Sequence, residues 1–296
     1  VNGLYTKLKL LDKEIIHGEL NVKDYKVILK CLLGDTLDIP ALYLNLNSIL
    51  LKITNLKEDE LYNLNIIEYF LLLLSIRSNS IGGIIFATYN GEKKINLQIP
   101  LNEIIEELTF FLENYQPLAI NIKNVSTTIT IPKIKEFISK EDLSFTNNII
   151  VNSNTTIDIE QLPVCVYKQI NDKINFLKKD INNLHFYKPV VEDYIIKFSS
   201  NLNEYGSLIK ILFNENLLSV YDNIFYLSKV SNFSAEYLEN CTYGEFKLFV
   251  KKTENLYKNT TSTPTQSLPV EDEMDQVDID SLYGRDLNIT PSEFTP

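Results

Sequence analysis

Residues 65–82 read Asn-Ile-Ile-Glu-Tyr-Phe-Leu-Leu-Leu-Leu-Ser-Ile-Arg-Ser-Asn-Ser-Ile-Gly. Asn65 suits a helix N-cap, Glu68 lies near the positive end of the helix dipole and Arg77 near its negative end. Between them the segment is apolar on nearly every face, and in a water-soluble chain such a helix has to be buried on several sides. The remaining elements must therefore wrap it. Gly82-Gly83 lets the chain turn sharply at its end. Residues 84–89 and 94–99 then flank Asn90-Gly91, the strongest short hairpin signal, with Ile95, Leu97 and Ile99 on one face at period two. The apolar run 66–76 is about half the length a bilayer span needs and carries Glu68 and Ser75, so no membrane span is expected.

The segments on either side read as follows. Residues 4–20 alternate weakly and suggest a strand pair or an arm. Asn21 caps a helix with Tyr25, Ile28, Leu29 and Leu32 at helical spacing, closed by Gly34-Asp35. A second helix is expected over 41–53, then a polar link over 57–63 into the central helix. Past Pro100, Leu101, Ile104, Ile105 and Leu108 give an amphipathic helix, followed by a hairpin over 118–131, a short helix over 132–140 and an Asn/Thr-rich stretch over 144–156. From Pro163 the pattern is helical, with segments expected over 164–184, 189–201, 207–214 and 217–230. Ser234 and Thr242 cap the last two, the latter with Glu245 three residues on as a capping box.

Composition matters chiefly at the C-terminus. The 296-residue chain carries a net charge of −11. Eight acids and one base, Arg285, follow Asn259, so the tail holds −7, leaving 31 acids against 27 bases, −4, before it. Neither part offers a phosphate-binding surface, and nucleic acid is not an expected partner. The tail is Thr/Ser/Pro-rich over 259–266 and acidic over 269–296, with Val277, Ile279, Leu282, Tyr283, Leu287, Ile289 and Phe294 scattered along it. That composition cannot join a core, so an extended tail laid on a partner protein is expected. The first ten residues hold two lysines and no apolar signal-peptide core, and with 45% hydrophobic residues overall the reading is a soluble chain not secreted by that route.

Motifs for chemistry are sparse. No nucleotide-cradling glycine motif occurs. Cys31, Cys165 and Cys241 are too scattered for disulfides or zinc and read as reduced core thiols. His17 and His185 lack ligand-spaced partners, and Asp272 to Asp280 lacks the central Gly and closing Glu of a calcium loop. Glu58-Asp59-Glu60 and Glu106-Glu107 read as solvated faces. Tyr167, Tyr187, Tyr194, Tyr205, Tyr221, Tyr226, Tyr237, Tyr243 and Tyr257 enrich the helical half in tyrosine, which serves either a core or a protein interface.

Asn21-Val-Lys-Asp-Tyr-Lys-Val-Ile-Leu resembles the front helix of the baseplate hub subunit family of T-even-type contractile-tailed phages. Ile66-Ile-Glu-Tyr-Phe and Ile76-Arg-Ser-Asn-Ser-Ile-Gly resemble that family's hallmark, an acid-Tyr-aromatic/Leu helix ending in Leu-Arg-x-x-Ser-[VI]-Gly. The strands around Ile95-Asn-Leu-Gln-Ile and Ile129-Thr-Ile-Pro fall where the family has strands, and the unit 216–257 is similar to phage tail proteins. The resemblance covers residues 20–255, and the block 68–82 is its specific part. A cysteine pair near the first hairpin in some relatives has no counterpart in Thr88-Tyr89-Asn90-Gly91, so no zinc site carries over.

The expected fold class is α+β. A domain of helices and β-hairpins around the buried helix (1–160) is followed by an all-helical domain (161–258) and an extended acidic tail (259–296). The resemblance implies a virion structural protein of the baseplate or tail-tip hub, held by contacts with other phage baseplate, hub or tail proteins in a symmetric assembly. It would sit in the virion's tail baseplate, and in the host cytoplasm during assembly. The second reading is a baseplate assembly chaperone or scaffold that acts in the host cytoplasm and leaves. Glu68, Tyr69, Arg77, Ser80 and Gly82 are read as structural, and the seven apolar tail residues as partner contacts. No catalytic residue, cofactor or metal is expected, and the chain is not read as an enzyme.

Overall fold

Polar caps fix where the helices of this chain begin, and their apolar faces fix what they pack on. The computed structural model describes residues 5–10, 13–34, 37–90, 94–139, 145–146, 149–151, 155–188, 196–198, 202–260 and 277–278. Strands β1 (Thr6–Lys9) and β2 (Glu14–His17) form an antiparallel hairpin, the strand pair that the alternation suggests. Helix α1 (Val22–Cys31) starts at Asn21, whose Oδ1 accepts from the Asp24 N–H at 2.6 Å. Helix α2 (Ile39–Ile53) starts at Asp38, which accepts from the Ala41 N–H at 3.0 Å. The link 57–63 holds a short helix, α3 (Glu58–Tyr62), because Glu60 reaches back to the Lys57 N–H at 2.8 Å.

The central helix is α4 (Ile66–Ser80), with Ile66, Ile67, Tyr69 to Leu74 and Ile76 all buried. Its cap is a reciprocal box: Asn65 Oδ1 accepts from the Ile67 and Glu68 N–H groups at 3.0 and 2.9 Å, and Glu68 Oε2 accepts from the Asn65 N–H at 2.9 Å. Strands β3 (Ile84–Asn90) and β4 (Lys94–Pro100) pair antiparallel in one unbroken register and lead into α5 (Leu101–Asn114).

A four-stranded antiparallel sheet follows, β5 (Leu118–Ile122), β6 (Val125–Ile129), β7 (Ile149–Val151) and β8 (Thr155–Ile157) in that spatial order, with α6 (Ile134–Ser139) between β6 and β7. The Asn/Thr-rich stretch thus supplies two strands. A 3₁₀ turn, Ile159–Gln161, leads to α7 (Val164–Asn182).

The C-terminal half departs from an all-helical reading. Strand β9 (His185–Tyr187) pairs with β10 (Ile196–Lys197), within the segment expected as a helix over 189–201; positions 189–195 and 199–201 lie outside the described residues. Ile196 and Phe198, two residues apart, both turn inward there, as does Phe186 on the paired strand, so a period-two burial competes with the helical spacing. Helix α8 spans Leu202–Leu212, earlier than the expected 207–214, and α9 (Leu217–Val230), α10 (Ala235–Asn240) and α11 (Tyr243–Thr260) complete the body. Strand β11 (Val277–Asp278) runs parallel to β3 and extends the hairpin to the order β11-β3-β4. No helix among the described residues is long and apolar enough to cross a membrane.

One core runs from Leu10 to Val250, so residues 161–258 share it rather than burying a core of their own. Phe70 of α4 meets Phe186, Phe198 and Tyr205 at ring distances of 6.0, 4.8 and 5.4 Å. Tyr25 of α1 meets Tyr243 of α11 at 4.4 Å and Phe213 at 6.2 Å. The Tyr205 hydroxyl donates to the Ile66 carbonyl at 2.6 Å. Helix α4 is wrapped by elements from both halves of the chain.

Phe70→Ala removes a fully buried ring at that junction and is expected to cost about 3 to 5 kcal/mol. In urea, far-UV circular dichroism and tyrosine fluorescence should shift together in a single transition; a second transition confined to one half would contradict the shared core.

Candidate functional site

The end of α4 is where chain segments distant in sequence are tied together. Arg77 lies in the last turn and is 5% exposed. Its Nε donates to the Leu212 carbonyl at 2.9 Å, Nη1 to the Gly82 carbonyl and Nη2 to the Ile84 carbonyl at 3.4 Å. The guanidinium fork thus spans the end of α8, the glycine turn and the start of β3. Burial lowers the Arg77 pKa from its ordinary value, and the nearby Glu215 carboxylate opposes that shift. Glu215 is itself held by the Tyr243 hydroxyl and by Lys247 Nζ. Burial, and then Glu215, raise the Tyr25 pKa well above the usual phenol value.

Ser80 closes the helix from the other side. Its hydroxyl donates to the Ile76 carbonyl at 2.8 Å and accepts from the Leu20 N–H at 2.8 Å, fixing the lead-in to α1. The Ile81 and Gly82 N–H groups both return to the Arg77 carbonyl, at 2.9 and 3.3 Å. Gly82 has φ of +135°, a left-handed conformation that a side chain would strain. At the other end of the motif, the Tyr69 hydroxyl donates to Asn47 Oδ1 at 2.7 Å in the core, while Glu68 completes the N-terminal cap. The five motif residues fall at the two ends of one helix, and each holds main chain or a neighbouring helix.

Two histidine sites need weighing as chemistry. His17 Nε2 lies 2.7 Å from Ser75 Oγ, and His17 Nδ1 lies 3.0 Å from the Gly18 carbonyl. Donation to that carbonyl protonates Nδ1, so Nε2 accepts from the serine, half of a nucleophile–base pair. Ser75 stands in the middle of α4, where the neighbouring N–H groups belong to the helix ladder and none is aimed at an oxyanion. The pair works as a tie between β2 and α4. His185 contacts Glu107 through Nδ1 at 3.1 Å and through its own N–H at 2.7 Å, fastening β9 to α5.

The cysteines differ in setting. Cys241 is buried and Cys31 half-buried, but Cys165 is exposed on the first turn of α7, whose apolar face turns inward at Val166, Ile170 and Ile174, so it is not a core thiol. Burial, and then Glu245, push the Cys241 thiol up to about 11, which leaves it a poor nucleophile. Among the described residues no group of three or more His, Cys, Asp or Glu side chains is placed to hold a metal ion. Glu58, Asp59, Glu60 and Glu106 are exposed.

The tyrosines of the helical half divide. Tyr205 and Tyr243 are fully buried, whereas Tyr167, Tyr221 and Tyr237 are exposed. Leu218, Tyr221 and Phe225 lie at i, i+3 and i+7 along α9 and form an outward apolar stripe, with Lys26 4.6 Å from the Tyr221 ring centre and Lys229 4.2 Å from that of Phe225. Of the apolar tail residues, Val277 is in β11; Ile279, Leu282, Tyr283, Leu287, Ile289 and Phe294 lie outside the described residues. Sequence reasoning missed Asn214 and Glu215. The polar triplet Asn214-Glu215-Asn216 between two apolar helices signals a loop, but nothing in it signals Phe86 or Lys247 as partners. Compared with family models, curated proteins and solved structures, the chain matches none.

Arg77→Ala leaves the buried Leu212 carbonyl and the part-buried Gly82 and Ile84 carbonyls without their donor and is expected to cost about 3 kcal/mol, read as a lowered urea midpoint. A stable variant would move Arg77 from the fold to a binding surface. Burial lowers the His17 pKa below the ordinary 6.5. The unfolded chain therefore binds more protons just below that pH, and stability falls as pH drops from 6.5. His17→Gln should flatten the decline in urea midpoint between about pH 6.5 and 5.5; an unchanged decline would contradict the burial argument.

Proposed function

We propose that this protein is a structural component of the baseplate hub region of a contractile phage tail, acting through fixed contacts with other hub or tail proteins. The observation that carries this reading is the block 68–82, which resembles the hub-family hallmark and whose Arg77 joins α4, β3 and α8. A part that must hold its place in an assembly under force needs such a joint more than it needs an open cleft.

The outward face of the helical half supports a role in contacts. Leu218 is 68% exposed and Phe225 62%, and Tyr237, Leu248 and Leu256 are also exposed on α10 and α11. Aromatic and leucine side chains displayed on a rigid helix face are the usual anchors of protein interfaces, with lysines such as Lys229 at the rim. The acidic sequence after α11, with its scattered apolar residues, adds a second candidate contact segment.

Quantitative mass spectrometry of purified mature particles, beside assembly intermediates from the same lysate, tests the proposal. A fixed copy number in the mature particle, near a multiple of three or six, is expected. Presence in intermediates alone would make the protein an assembly chaperone or scaffold, and absence from both would overturn the phage reading.

A further inference from the structure

Strand β3 has two edges, and their main-chain groups can be told apart. The Leu101 N–H donates to the Gly83 carbonyl at 2.9 Å, and the register runs unbroken from Ile84↔Pro100 to Asn90↔Lys94. Odd-numbered groups of this strand therefore face β4 and even-numbered groups face outward, since alternate residues of an antiparallel pair exchange the ladder bonds. On the outer edge the first two carbonyls are taken by side chains. Ile84 O accepts from Arg77 Nη2 at 3.4 Å and Phe86 O from Asn214 Nδ2 at 2.6 Å. The same two residues that pin β3 to the body also cover the first half of its edge.

Beyond Phe86 the next outward groups are those of Thr88 and Asn90. There β11 lies, parallel, with Val277 opposite Ala87 and Asp278 opposite Thr88. By the parity of β3, the Thr88 N–H is the donor that a strand in this register meets. The tail sequence fits an added strand: Val277-Asp278-Ile279-Asp280 alternates apolar and acidic residues at strand period.

We infer that the outer edge of β3 beyond Phe86 is a strand-docking site whose occupant is the chain's own acidic tail at Val277–Asp278. The site is short because Arg77 and Asn214 block the strand up to Phe86. A two-residue pairing would not retain a free peptide, but the tail is tethered to α11 through residues 261–276, and tethering of that kind raises effective concentration to the order of millimolar. Capping an unpaired edge in this way removes a template on which a second chain could add. Two acids near the strand, Asp278 and Asp280, also make stacking of one tail on another unfavourable. The inference stands independently of the phage reading, since it concerns only this chain.

Single-amide hydrogen exchange by NMR tests it on three proteins: the full chain, a chain ending at residue 260, and the full chain carrying Val277→Pro with Asp278→Pro. The double variant keeps the tail's length and nearly all its charge but cannot maintain a ladder strand. The Thr88 N–H should exchange at least about tenfold faster in both variants, as expected for a strand edge returned to water, while the Ala87 and Tyr89 amides, which face β4, keep their protection. Equal Thr88 exchange in all three proteins would overturn the inference. So would a rise shared equally by Ala87, Thr88 and Tyr89, because the tail would then support the hairpin as a whole rather than its outer edge.

Discussion

A buried guanidinium that finds its partners in main-chain carbonyls is the constraint on which the rest of this structure depends. Arg77 cannot shed its charge at any ordinary pH, and its fork donates in a fixed plane. Leu212, Gly82 and Ile84 must present their carbonyls to that plane, which sets the end of α8, the turn after α4 and the entry to β3 together. Nearby Glu215 favours the cation electrostatically without a direct carboxylate contact. The geometry is more demanding than an ion pair, because three segments have to be correct at once.

The consequence is a body that does not split where its composition changes. Helix α1 pairs Lys26 with Glu239 of α10 and packs Tyr25 at a tilt against Tyr243 of α11. Helix α4 lays Phe70 against Phe186, Phe198 and Tyr205. An apolar helix needs neighbours on all sides, and the N-terminal hairpins alone do not supply them. The late helices complete the wrapping.

Local signals were legible and long-range ones were not. The Asn65–Glu68 box, the Asn21 cap and the flanks of Asn90-Gly91 are written within a few residues of one another, and α1, α4, β3 and β4 fall where those signals put them. Helix α9 coincides with its expected span, 217–230. Strands β9 and β10 were hidden because they are three and two residues long, too short to display a period. Strands β7 and β8 were hidden by their polar composition, since they lie in an Asn/Thr-rich run that reads as loop. The corner itself was half legible. Arg77, Ser80 and Gly82 stand out as a helix terminus, whereas their partners, the Leu212 and Ile84 carbonyls that accept and the Leu20 N–H that donates, are backbone groups that almost any residue type would supply.

Function follows from the same division. The conspicuous motif serves the interior, whereas the α9 stripe is displayed outward. The measurement that bears most directly on this account is the stability of Arg77→Lys against urea. Lysine keeps the charge but not the fork, so a loss of about 2 to 3 kcal/mol is predicted as at least one carbonyl is left without a donor. A variant within about 0.5 kcal/mol of the parent, the range of ordinary surface substitutions, would contradict the claim that the guanidinium geometry holds the corner.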